Sequence, residues 1–172
     1  MRSSPKPEPT ETWILNASPI ISMAKAGYLS LFDRLATILV PEAVAGEILN
    51  GPPSDPARKA LESGWGKLVS SSTIPEAILE WGLGAGESTV LALSLERPHC
   101  CAVLDDGAAR RCARALGVSF LGTLGVILRA QRAELISSAV PVLKALQAAG
   151  LRLDADTVRV ALKRVSGEHW PE

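Results

Sequence analysis

Cys100–Asp106 reads CCAVLDD, and the chain continues as GAARRCARALG to Gly117 and VSFLG to Gly122. An apolar run that ends abruptly in two carboxylates fits a strand buried on both faces, with its carboxyl end at a polar edge. The Ala- and Arg-rich stretch after it reads as a helix that Gly117 closes. VSFLG then returns as a strand. Strand, helix and strand in that order make a crossover unit of a parallel sheet, and such crossovers are right-handed.

The same alternation extends outward in both directions. Upstream, GESTVLALSLE (Gly86–Glu96) reads as a helix feeding the Cys100 strand. Near the beginning, Trp13 to Asn16 form a short apolar strand ending in a polar residue. In SPIISMAKAG, Ser18 is placed to cap, Pro19 fits the first turn, and Ile20, Met23 and Ala24 recur at helical spacing until Gly27. Leu29–Ala36 follows as a helix, Thr37–Pro41 as the second strand, and PEAVAGEIL as a helix opened by Pro41. Asn50–Pro56 is a loop by its Gly and Pro content. ARKALESG is a helix, GKLVSSS a short edge strand, and PEAILEWGLGAG a helical turn with a Gly-rich exit. Downstream, TLGVILRAQRAE is a helix that Thr123 could cap. VPVLKALQAAG and DADTVRVALKRV are two more, the last capped by Asp154 or Asp156. The expected fold class is α/β, a three-layer α/β/α arrangement on a central parallel sheet. Residues 1–11, polar and Pro-rich, are expected to be a flexible tail, and residues 12–172 a single domain.

Composition narrows the function. Lys plus Arg and Asp plus Glu number 18 each, so the net charge is zero, which argues against a strongly basic protein that coats nucleic acid. It does not exclude a local basic patch. The three cysteines, two of them adjacent, form neither a disulfide framework nor a zinc spacing and read as buried thiols. No apolar run approaches the roughly 20 residues of a membrane span, and the first residues lack a signal-peptide core. The chain reads as soluble and cytoplasmic. It has no GxxxxGK[ST] phosphate loop and no GxSxG elbow, and His99 and His169 lack a partner at zinc spacing.

The polar residues at strand ends carry the chemistry. Right-handed crossovers place all carboxyl ends of the strands along one edge, where ligands bind in open α/β sheets. Asn16 ends the first strand and Asp105 and Asp106 end the Cys100 strand. Glu47 lies on the helix after the second strand, and Glu87 opens the helix before the fourth. Each has an ordinary alternative. Asp106 could be an N-cap, Asp105 a partner of Arg110 or Arg111, Glu87 an acid favoured by a helix dipole, Glu47 a solvated residue and Asn16 a turn former. Independent caps, however, have no reason to share one sheet edge. Carboxylates brought together need a compensating cation, and hard oxygen ligands suit Mg²⁺ or Mn²⁺. Such an ion serves phosphodiester hydrolysis. Arg110 and Arg114, at i,i+4 on the following helix, are candidate RNA-phosphate contacts or, equally, members of internal salt bridges.

At these residues the chain resembles the PIN domain family, in particular its toxin-like bacterial and archaeal branch. LNASPII resembles that branch's opening D-x-S-P-L-I, and VPEAVAGEIL its strand, Pro and acidic helix. GAGESTVLALSLE resembles G-E-x-x-A-I-x-L-A. VLDDGAARRCARALGVSFLGTLGVILRA resembles D-[DE]-x-x-A-R followed by G-T-L-G-[IV]-L. The resemblance spans roughly residues 12 to 150. It implies a PIN fold, Mg²⁺ or Mn²⁺, and endonucleolytic cleavage of single-stranded RNA. By position, Glu47, Glu87, Asp105 and Asp106 match the family's acidic catalytic ligands, and Ser18 and Thr123 match small polar positions beside them. Members of that branch usually pair with a small antitoxin protein and often form a homodimer. One residue departs from the pattern: the family's first strand ends in Asp, and this chain has Asn16. Asn keeps a carbonyl oxygen but brings no charge. Two readings follow, a metal-dependent ribonuclease and a PIN-like module that binds RNA or a protein partner without catalysis. A phosphohydrolase or receiver-like domain needs a nucleophilic Asp where Asn16 stands.

Overall fold

The computed structural model describes residues 9–70 and 73–171. Most of the expected tail and the last two residues of GKLVSSS lie outside the described residues. Five strands, β1 (Thr12–Leu15), β2 (Thr37–Pro41), β3 (Lys67–Val69), β4 (Cys101–Val103) and β5 (Phe120–Leu121), form one sheet in the order β3-β2-β1-β4-β5. Every pairing is parallel, with Trp13 opposite Ile38 and Cys101, and Leu15 opposite Val103. The three-layer α/β/α class read from the sequence is the class observed.

The helices are α1 (Ala17–Lys25), α2 (Ser30–Leu35), α3 (Glu42–Leu49), α4 (Pro56–Glu62), α5 (Glu76–Leu79), α6 (Ala85–Glu96), α7 (Gly107–Ala115), α8 (Thr123–Arg132), α9 (Ala139–Ala148) and α10 (Ala155–Val165). Right-handed crossovers put α1, α2 and α4 on one face of the sheet and α5, α6 and α7 on the other. Helices α8 and α9 pack on α2 and α1, and α10 packs on α8. Helix α3 touches both α1 and α6, so it reaches across the carboxyl edge of the sheet.

The centre of the sheet is apolar on both sides. Trp13, Ile14 and Leu15 of β1 and Ala102 and Val103 of β4 are buried. Trp13 meets Phe32 of α2 edge-on, with ring centroids 6.4 Å apart. Helix α6 lies across β1, β2 and β4 and is buried nearly all round, and two of its buried hydroxyls are satisfied within the helix. Thr89 Oγ1 donates to the Ala85 carbonyl at 2.7 Å and Ser94 Oγ to the Val90 carbonyl at 2.8 Å. At the entry to β3, Gly66 has φ +77° and a Cβ there would come within 2.8 Å of Val40 Cγ2, so any other residue is strained in its backbone and presses on the Val40 side chain of the second strand.

Several local expectations are corrected. The N-cap of α1 is Asn16, and Ser18 sits inside the first turn, exposed. Thr123 does not cap α8; Gly122 is the N-cap residue and the Thr123 hydroxyl goes elsewhere. Cys100 precedes β4 rather than lying in it, and β5 is only two residues long. Glu11, expected in the tail, is held. Its backbone carbonyl accepts from Thr37 N, and its carboxylate accepts from Arg129 at 2.7 Å and from Trp13 Nε1 at 2.9 Å. Asp154 is the residue that caps α10, through Thr157 N at 2.8 Å.

Candidate active site

Strand order reverses between β1 and β4, the first strand continuing to β2 on one side and the fourth to β5 on the other. This is the topological switch point, where the two crossovers diverge and leave a crevice at the carboxyl ends. Asn16 stands at the end of β1 with its backbone N–H donating to the Val103 carbonyl of β4, so it lies in the crevice itself. A pocket of about 590 Å³ opens there. Its polar walls are Asn16, Ser18, Ser22, Lys25, Glu47 and Glu87, and the turn after α9, Ala149–Leu151, closes one side.

Each acid reaches this edge by its own route. Glu47 projects from α3 toward the first turn of α6, where its Oε1 accepts from Gly86 N at 3.0 Å. Gly86 is what makes this approach feasible, since a Cβ on it would lie 2.7 Å from Glu47 Oε1. Glu87, one residue on, folds back to accept from Gly84 N at 3.2 Å, which satisfies one free donor of the α6 terminus. The N-termini of α1 and α6 both face the pocket, and their positive ends offset some of the charge gathered there.

Asp105 and Asp106 part company. Asp106 caps α7, its Oδ2 accepting from Ala109 N at 2.9 Å, while its charge is still felt by Glu87. Asp105 turns to α8: Thr123 N donates to Oδ1 at 2.7 Å and Thr123 Oγ1 to Oδ2 at 2.6 Å. Thr123 is wholly buried, so its hydroxyl serves Asp105 and not a strand passing outside. The ordinary alternative for Asp105, a salt bridge to Arg110 or Arg111, is not formed among the described residues. Arg110 lines a second groove with Asp105, away from the acidic pocket. Thus the structure brings Asn16, Ser18, Glu47 and Glu87 to one pocket with Asp106 in electrostatic reach, and leaves Asp105, Thr123, Arg110 and Arg114 outside its walls. Asp105→Ala should therefore act on stability: it strands the buried Thr123 donors and should cost about 1–3 kcal/mol, measurable by urea unfolding.

Burial, the strongest influence, raises the Glu87 pKa above its ordinary value; the charges of Asp106 and Glu47 add to this and the Gly84 N–H opposes it. A carboxyl with a raised folded pKa favours the folded state below the ordinary Glu value. That advantage is lost as the pH rises through the folded value. A cation that uses Glu87 must displace its proton, so apparent Mn²⁺ affinity should increase with pH across a window above the ordinary Glu range. Calorimetric titration at several pH values tests this, and a pH-independent affinity would show that Glu87 takes no part.

Among the described residues, no three His, Cys, Asp or Glu side chains are gathered closely enough to hold a metal ion. The pocket nevertheless suits a hard cation in its donor chemistry. Asn16 is 5% exposed, and its Oδ1 is a buried acceptor with no hydrogen-bond partner. An unpaired buried carbonyl is costly, and a cation is one partner that relieves it. With Glu47 and Glu87 this makes an all-oxygen set with two formal charges.

A family model described as a PIN domain matches residues 12–167. The chain belongs to the PIN domain family. No curated protein matches the chain. Membership in the PIN domain family points to a nuclease-type function with nucleic acid as partner, and PIN domains generally use divalent metal ions. Among the described residues of this PIN domain, no helix is long and apolar enough to cross a membrane.

Sequence reasoning missed four contributors, Ser22 of α1 among them. Lys25 lines the PIN pocket one turn beyond Ser22 on the same face as Ser18, a signal present in the i, i+4, i+7 spacing. Gly86 is visible as a glycine but its partner, Glu47, lies 39 residues away. Nothing local marks Ala149–Leu151 as a wall. Gly86→Ala leaves the helix intact and pushes against the Glu47 carboxylate. It should weaken Mn²⁺ binding while changing the metal-free melting temperature little, as paired thermal melts would show.

Proposed function

We propose that this PIN domain is a divalent-metal-dependent endoribonuclease acting on single-stranded RNA. The observation that carries the reading is the unpaired, buried Oδ1 of Asn16 at the β1–β4 switch point, in one pocket with Glu47 and Glu87. When bound, Mg²⁺ or Mn²⁺ supplies Lewis acidity toward a phosphoryl oxygen and an activated water. Glu47 and Glu87 would hold the ion through carboxylate oxygens, with Asn16 presenting its carbonyl and Asp106 adding negative potential from the cap of α7. Ser18, exposed on α1, is available to the strand being cut, while Lys25 shares its charge with Asp55 at 3.8 Å.

Purified protein incubated with a labelled single-stranded RNA should generate fragments with Mn²⁺ and none with EDTA. Intact RNA throughout a Mn²⁺ titration would overturn the proposal. The resemblance to the toxin-like branch extends it to a cytoplasmic toxin, homodimeric and restrained by a small antitoxin protein. Growth arrest on induction, relieved by co-expressing such a partner, is the corresponding test.

The neutral Asn16 also favours a second reading, a PIN-like module that binds RNA or a protein without cutting. A ligand that binds only the native state raises the melting temperature. The second reading therefore predicts no Mn²⁺-induced shift, and a clear shift in the unmodified chain would count against it.

A further inference from the structure

The carboxyl edge of the sheet carries a second concavity that the acidic pocket does not use. It is a groove of about 420 Å³ between α7 and β5 on one side and α8 and α10 on the other. Its floor is apolar, with Leu124, Leu128 and Val158, and its rim carries Arg110 from α7 and Arg152 from the segment joining α9 to α10. Phe120 of β5 forms one wall.

The arginines are arranged unusually for a solvated surface. The Arg110 guanidinium lies 5.4 Å from the centroid of the Phe120 ring and that of Arg114 lies 5.6 Å from the same centroid. Cation–π attraction holds both groups on one ring, although their like charges repel. No carboxylate stands within ion-pair distance of either, or of Arg152, among the described residues. Two acids do line the groove; both oxygens of Asp105 are engaged inside the protein, while Asp154 is engaged through Oδ1 alone, at the cap of α10. Asp105 accepts from Thr123, and Asp154 accepts from the backbone N–H and hydroxyl of Thr157. The guanidinium donors are therefore left for an anion brought from outside.

We propose that this groove is a flanking nucleotide subsite, in which Arg110 and Arg152 of its lining, with Arg114 beside it on the Phe120 ring, take phosphates of the RNA strand and the apolar floor takes an unstacked base. Planar guanidiniums match phosphate geometry, and apolar or aromatic walls accept any base without reading sequence. The position suits it. Asp105 lines the groove and Asp106, the next residue, acts electrostatically on the acidic pocket, so one strand passing over the start of α7 would touch both. An acidic peptide is the competing occupant; it shares the negative charge but places no base on the floor.

The inference rests on the ribonuclease reading, and the test separates the two. Binding of a fluorescent single-stranded RNA to the full chain is measured in EDTA, so that nothing is cut, over a range of salt concentrations. Arg110→Gln, Arg114→Gln and Arg152→Gln should each weaken binding and flatten the salt dependence by about 0.7 in slope, one phosphate contact on a single strand. Arg111→Gln, on the same helix but neither lining the groove nor lying on the Phe120 ring, should leave both unchanged. Slopes equal to the unmodified protein in all three variants would overturn the subsite, as would displacement of the RNA by an oligoglutamate peptide at equal charge concentration. Cleavage with Mn²⁺ by the unmodified chain alongside unaltered slopes would leave the nuclease and remove the subsite. Altered slopes without cleavage would do the reverse, and no RNA binding at all would remove both.

Discussion

Glu47→Gln is expected to reduce Mn²⁺-dependent RNA cleavage by on the order of 100-fold or more, because even groups that merely support a metal ligand cost about 10–100-fold when removed. The substitution isolates charge from shape. Gln keeps a carbonyl oxygen for the Gly86 N–H that now meets Oε1 at 3.0 Å, so the seat of α3 on α6 should persist. What disappears is one of two formal charges available to an ion in the pocket. Three readouts should move together: cleavage falls, the Mn²⁺-induced rise in melting temperature shrinks, and the metal-free protein is as stable as before or slightly more so. The last follows from Glu87, whose pKa is held up partly by the Glu47 charge and should drop toward its ordinary value when that charge is gone. Cleavage that persists at the original rate would sink the assignment. Asp105→Ala gives the contrast. Its carboxylate is engaged by Thr123, so its loss should appear first as lost stability.

How far the sequence reached depends on whether the signal was local. Parallel β1, β2 and β4 were legible because buried parallel strands are short apolar runs with polar ends, as Trp13–Asn16 and Cys100–Asp106 are. The shared carboxyl edge followed from strand–helix alternation with right-handed crossovers, whereas the strand order that seats β1 beside β4 was not read from the sequence. The fate of the Asp105–Asp106 pair was not legible. Two adjacent carboxylates at a strand end point in different directions, and which one faces the crevice depends on what the partner segments offer. Here α7 offers the Ala109 N–H to Asp106, and the buried Thr123, 18 residues downstream, captures Asp105. The helix-start roles assigned to single residues were often correct, as with Asp106 on α7 and Glu87 at Gly84. Capping and clustering are compatible, because helix N-termini that meet at one sheet edge collect acids at that edge. Short edge strands were the weakest reading: β5 has two residues and takes its register from β4 rather than from its own pattern.

Asn16→Asp should have opposite effects with and without metal. Asn16 is buried beside Glu47 and Glu87, so in the metal-free protein a third carboxylate adds repulsion and desolvation with nothing to offset it. Its folded pKa should lie above the ordinary Asp value. The penalty is then absent at acid pH, grows as the pH rises through the folded value and is complete above it. At neutral pH without metal, the variant should melt below the unmodified protein. With Mn²⁺ the order should reverse. A charged ligand in place of a neutral carbonyl is worth about 1.5–3 kcal/mol on the scale of charge-assisted contacts, which is on the order of 10–100-fold in affinity. Cleavage should rise with occupancy at limiting Mn²⁺ and converge at saturation if Asn16 acts only through affinity. A crossing pair of melting curves, measured with EDTA and with Mn²⁺, requires the Asn16 side chain to sit at the ion. Curves that keep the same order in both conditions would mean that the unpaired Oδ1 is satisfied by something other than a cation, and the metal-dependent reading would lose the observation it stands on.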